Sequence, residues 1–139
     1  MYSKGGGRMK NDKILRREIA LEKMIAYIFK QPRVVIKEPP EKVETNKSLK
    51  WVFYIVVPSR WKIKAISVMP IPEGKVENFS YERCVYDKCL YYSILTARFE
   101  EKGKKIIMLI INFGKRGGLK TCRIKIKIGN GKNQKVMID

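Results

Sequence analysis

The stretch KIIMLIINFGKRGGLKTCRIKIKI, Lys105 to Ile128, decides how the chain is read. Its first half, Ile106 to Ile111, is apolar at every position. A β-strand sends alternate side chains to opposite faces, so such a run, apolar on both faces, suggests a central strand. Its second half, Lys120 to Ile128, alternates: Ile124, Ile126 and Ile128 point one way, and Arg123, Lys125 and Lys127 the other. That pattern predicts one face in the core and one in water. Gly114, Gly117 and Gly118 mark the turn between the two strands.

Working outward, β-branched and aromatic residues predict further strands at Trp51 to Val57, Trp61 to Met69 and Tyr91 to Phe99, with a weaker one near Tyr81 to Tyr86. EEKGK between Phe99 and Lys105 reads as a hairpin loop, which would make the last three strands an antiparallel meander. RVVIK, Arg33 to Lys37, is a short strand. Upstream, Asn11 is placed to cap a helix that ends before Gln31 and Pro32. Ile14, Leu21, Ile25 and Ile28 recur at helical spacing with Phe29 beside them, and are expected to face the core. The opposite face carries Lys13, Arg16, Lys23 and Lys30. The expected architecture is one α+β domain over residues 11–139, with an N-terminal helix packed on a mainly antiparallel β-sheet, sandwich or small barrel of about six strands. Residues 1–10 are expected to be a flexible segment, and residues 38–49, containing Pro39 and Pro40, a polar loop.

Charge is the exceptional quantity. The 139 residues carry 31 Lys and Arg against 13 Asp and Glu, a net +18 with pI near 10.0. Abundant Lys, Ile and Glu with no His resemble the proteins of hyperthermophiles, and suggest an archaeal or archaeal-viral setting. Ion-pair networks need both signs, however, so they leave the excess unexplained. The excess is also patterned: residues 51–101 hold seven basic and six acidic side chains, whereas residues 102–139 hold 11 and one. A cation-rich region of that kind attracts a polyanion.

The absence of His removes the commonest general base, Ser-His and Cys-His dyads and the usual metal ligand. Asp87, Glu100 and Lys102 resemble the acidic and lysine pattern of metal-dependent nucleases, in which carboxylates hold Mg²⁺ and a lysine orients water. Cys84 and Cys89 are spaced so that they can close a small disulfide loop; three cysteines are too few for a four-ligand zinc site. Cys122 shares the apolar face of its strand and reads as a core residue.

Binding is better supported than catalysis. Arg123, Lys125 and Lys127 would lie about 6.6 to 6.8 Å apart on one face, comparable with successive phosphates of a nucleic-acid strand. Lysines guarding an edge strand would give the same alternation. Lys115, Arg116, Lys120 and Lys132 extend the cluster, and GKRGG offers backbone amides to a phosphate. In SRWKIK, Arg60, Lys62 and Lys64 form a second basic group around Trp61, which would stack on a base if exposed. The reading is therefore a small basic nucleic-acid-binding protein, for DNA or RNA, with Lys13, Arg16, Lys23 and Lys30 as a second site or a continuation, and no cofactor or metal. The rivals are a structural or assembly protein of a virion or ribonucleoprotein, self-associating or held by an assembly partner, and a metal-dependent nuclease or RNA-cleaving toxin. MYSKGGGRMK lacks the apolar stretch of a secretory signal and no run is long enough to span a bilayer, which points to the cytoplasm or a virion interior.

Overall fold

The computed structural model describes residues 11–128 and, for backbone only, 134–138. The segment 1–10 and Lys132 lie outside the described residues. The elements are α1 (Asp12–Phe29), β1 (Arg33–Glu38), β2 (Leu49–Val56), β3 (Lys62–Ile71), β4 (Gly74–Cys84), β5 (Asp87–Phe99), β6 (Lys105–Lys115), β7 (Gly118–Ile128) and β8 (Gln134–Ile138). The strands form two antiparallel sheets, in the orders β1-β2-β5-β4 and β3-β6-β7-β8. They face each other as a sandwich, the α+β architecture expected. The weak strand expected near Tyr81 to Tyr86 is the end of β4, which starts earlier, at Gly74, and gives way to a turn at Val85 and Tyr86; β8 is a strand beyond those expected.

The first sheet is the middle layer. From β2, Trp51, Phe53 and Ile55 face the second sheet, where they meet Ile107, Leu109, Ile111 and Phe113 of β6 and Ile124 and Ile126 of β7 in one buried cluster. Val56 faces the other way, joining Val35 and Leu90 beneath Leu15 and Ala26 of α1. A strand covered on both faces must be apolar at nearly every position, which is why LKWVFYIV shows no alternation.

Helix α1 begins and ends as its sequence dictates. Asn11 accepts a hydrogen bond from the Ile14 amide at 2.9 Å, and Lys30 closes the helix in a left-handed conformation before Pro32. Its rotation differs from expectation. Leu15 and Ala26 are buried and Ile19 packs with them, whereas Ile14, Leu21 and Ile28 are exposed and Ile25 is half-buried. The small Ala26 side chain lets the helix approach the sheet. Ion pairs on both flanks, Lys23 with Asp87 and Glu22 with Arg33, are made in this orientation.

The EEKGK segment is not a hairpin. β5 belongs to the first sheet and β6 to the second, so the chain crosses the sandwich between Phe99 and Lys105, and the three-stranded meander is not formed. The following connection does form a hairpin, with Lys115 opposite Gly118. Gly117 and Gly118 have φ of 95° and 141°, values that L side chains adopt only under strain.

Candidate nucleic-acid interface

The two basic groups SRWKIK and GKRGG, roughly 50 positions apart in the chain, are brought together because β3 pairs with β6. Lys62 stands opposite Gly114, and the β6–β7 turn hangs beside them. The result is an open cleft of about 380 Å³ lined by Arg60, Lys62, Lys64 and Lys115 together with Gly114, Gly118 and Leu119. Among the described residues, no carboxylate lines it. Among the described residues, the ion pairs use Lys23, Arg33, Lys47 and Arg98 and none of these four cations.

Local geometry explains the convergence. Arg60 takes a left-handed φ of 71° in a turn closed by the Trp61 amide donating to the Pro58 carbonyl at 3.1 Å. The turn buries Trp61 and leaves Arg60 in solvent. A bulge between Ile63 and Ala65 adds Lys64 as an extra residue. The Lys64 stem crosses Gly114 so closely that a Cβ there would stand 2.6 Å from the Lys64 Cε. Gly114 has no positive φ, so its glycine serves this crossing.

From the cleft a track runs along the outer face of the second sheet. Thr121 and Asn112 come first, joined by a 2.7 Å hydrogen bond. Arg123 beside Ile110, Lys125 beside Met108 and Lys127 beside Ile106 follow. From Leu119 to Lys127 this covers about 27 Å at ~3.3 Å per residue. Arg123 and Lys127 are exposed, Lys125 is half-buried, and Cys122, Ile124 and Ile126 fill the other face, as the alternation predicts. β8 pairs along the far side of β7 from Ile124 to Ile128, so Lys125 and Lys127 are interior to the sheet and an edge-guarding role does not account for them, whereas Arg123 lies just outside that pairing.

Several expected members are placed elsewhere. Lys120 leaves the row for the other side of the strand, with its ammonium 5.5 Å from the centre of the Trp61 ring. Trp61 packs on Phe113 at 5.3 Å between centroids and is buried, which leaves no open ring face for a base. Arg116 is exposed at the turn. Lys13, Arg16, Lys23 and Lys30 lie on α1, against the outer face of the first sheet, so they do not continue the track. Lys23 is paired with Asp87 at 2.7 Å, and Lys30 sits over Tyr27 at 5.9 Å.

The nuclease set does not assemble. Asp87 begins β5 and Glu100 follows its end, so 13 residues of extended strand hold them some 40 Å apart, too far to share a metal ion. Asp87 is occupied with Lys23 and with the Cys89 amide, and Lys102 lies in the crossover beyond Glu100. Nor do Cys84 and Cys89 form a disulfide: both are free. Cys84 packs with the α1 cluster and Cys89 with the inter-sheet core, on opposite faces of one sheet. Burial pushes the Cys84 and Cys122 thiols above the ordinary range. Among the described residues no group of His, Cys, Asp or Glu is arranged to hold a metal, and no helix is long and apolar enough to cross a membrane.

A larger cavity of about 510 Å³ lies along the Pro39-Pro40 loop, but Glu38, Glu41 and Glu44 there offset Lys42, Lys47 and Lys50. It has no net attraction for an anion and is not the site. The sequence did not single out Gly114 as the seat of Lys64; a glycine at a strand end beside a basic partner strand is its only trace. No family model matches the chain, and neither a curated protein nor a solved structure is similar to it.

Proposed function

We propose that this is a small nucleic-acid-binding protein that holds the phosphate backbone of DNA or RNA in the Arg60, Lys62, Lys64 and Lys115 cleft and along the Arg123, Lys125 and Lys127 row. The observation that carries the reading is the cleft itself: four cations from two distant segments, gathered around two glycines and Leu119 with no carboxylate in the lining among the described residues. Like charges lining one cleft repel one another, and a bound polyanion relieves that repulsion. The track is long enough for about four phosphates at ~6 to 7 Å each. Contacts of this kind supply affinity and little sequence choice. Half-buried Ile106, Met108 and Ile110 beside the cations offer aliphatic surface to sugars and base edges. Such a protein would act in the cytoplasm or inside a virion, where its polyanion is, and its composition suits an archaeal or archaeal-viral source.

A salt titration of binding to duplex DNA, single-stranded DNA and RNA of one length tests it. Counting the cleft and row as about six neutralised phosphates gives a log-log slope near −5 on duplex DNA, and Lys125→Ala lowers its magnitude by about one. Replacing Arg60, Lys62, Lys64 and Lys115 together by Ala lowers it by about three to four. A flat salt response, or a slope that the fourfold variant leaves unchanged, overturns the assignment.

A further inference from the structure

The outer face of α1 presents Ile14, Leu21, Met24, Ile28 and Phe29 to solvent at 52 to 67% exposure. One exposed apolar residue is ordinary; five along one helix, interrupted by Arg17, are an apolar surface with nothing packed against it among the described residues. From this surface, independently of the nucleic-acid reading, we infer that α1 pairs antiparallel with α1 of a second copy of the chain.

Three features choose that occupant. Three members of the stripe are symmetric about its middle: Ile14 and Ile28 each stand seven residues from Leu21. Across a two-fold axis at Leu21, Ile14 therefore meets Ile28 of the partner subunit and Leu21 meets its own equivalent. Met24 and Phe29 come opposite the partner's Glu18 and the partner's Lys13, so the self-complementarity that an isologous interface requires rests on Ile14, Leu21 and Ile28. Seven residues are nearly two helical turns, so the three side chains form an almost straight ridge about 21 Å long.

Charge is the second feature. Within α1, Lys13, Arg16, Arg17 and Lys23 stand against Asp12, Glu18 and Glu22, a net +1, or +2 with Lys30 at its C-terminal cap, in a chain of +18. A helix so nearly balanced is poorly suited to anchoring on anionic lipid, which asks for a strongly cationic polar face, but it meets its own copy without strong repulsion. The third feature is position. α1 covers the outer face of the first sheet, and the cationic track covers the outer face of the second. About 20 Å of protein separates them, roughly two screening lengths at physiological salt, so a contact through α1 keeps both +18 chains' cationic faces apart.

Sedimentation velocity on the full chain across the micromolar range tests this. The expected result is a mass rising with concentration from 16.3 kDa to twice that, more readily at high salt, with Leu21→Glu monomeric throughout at unchanged circular dichroism. As a second measurement that does not depend on that variant folding, Leu21→Cys under mild oxidation gives a covalent dimer, while Tyr27→Cys, on the helix flank, does not. A wild-type chain that stays monomeric, a dimer that survives Leu21→Glu, equal cross-linking at both cysteines, or a monomer that Leu21 carries onto phosphatidylserine vesicles each overturns the inference.

Discussion

Lys64 and Gly114 form a pair in which one side chain exists at the expense of the other: a Cβ on Gly114 would stand 2.6 Å from the Lys64 Cε, well inside contact distance. The obstructed atom is the end of a flexible side chain, so Gly114→Ala is expected to leave the fold and its melting temperature nearly unchanged while moving the Lys64 ammonium out of the cleft. Nucleic-acid affinity then falls several-fold, and the salt slope loses about one unit in magnitude, as it does for Lys64→Ala. The two variants combined should do no more than either alone, because they remove the same contact. Titrations of the single and double variants check this; wild-type binding in Gly114→Ala would show that Lys64 does not hold phosphate from this position.

Trp61 makes the opposite case, a residue whose type suggests stacking on a base and whose surroundings forbid it. Its ring lies against Phe113 and beneath Lys120, and Trp51 is buried as well. Intrinsic fluorescence should therefore be blue-shifted and weakly quenched by acrylamide, and an added oligonucleotide should not quench it as stacking would. Trp61→Ala is expected to cost about 3 to 5 kcal/mol of stability through the void it leaves, whereas Lys120→Ala removes a cation–π contact at an exposed edge, about 0.5 to 1 kcal/mol. Chemical denaturation separates the two.

Glu77 ties the Pro39-Pro40 loop to β4. Its carboxylate accepts hydrogen bonds from Ser48 Oγ and Arg98 Nη2, both at 2.6 Å, and the Ser48 bond first, then Arg98, holds its pKa below the ordinary value. A carboxylate with a depressed folded-state pKa contributes stability that is fully present above its unfolded pKa and is lost as pH falls through the folded one. The loop should thus loosen in acid, below the usual carboxylate range, while the sandwich persists. Proteolysis at residues 39–48, followed against pH, should show an acid-induced rise in wild type that is already present at neutral pH in Glu77→Gln.

What could be read from the chain is what local pattern encodes. The alternation of Cys122 to Ile128 gave the wet and dry faces of β7, the unbroken apolar run gave a central β6, and Asn11 and Pro32 gave the limits of α1. What failed depends on contacts between distant segments. Ile14, Leu21 and Ile28 have the spacing of a core face, but Ala26 and the flanking ion pairs of Glu22 and Lys23 turn Leu15 inward instead. Gly103 marks a bend without saying whether the next strand returns to the same sheet or crosses to the other. The cleft depends on β3 finding β6, and no periodicity within either strand announces that pairing. Cys84 and Cys89 looked close in sequence, but a strand start at Asp87 sends them to opposite faces.

If α1 joins two copies across Leu21, the tracks on their second sheets face away from each other, and each dimer has two separate sites for nucleic acid. Two sites on one particle can hold two duplexes, or two stretches of one, with a gain that comes from tethering and not from any new contact. Wild-type protein is therefore expected to pellet long duplex DNA at low-speed centrifugation. Leu21→Glu should bind a short oligonucleotide with unchanged affinity and salt slope yet fail to pellet the long duplex, because it removes the bridge and leaves each site intact. Gly114→Ala should weaken both readouts together. A Leu21→Glu chain that also loses the short oligonucleotide would mean that α1 itself touches nucleic acid, returning Lys13 and Arg16 to the interface and removing the separation of the two surfaces.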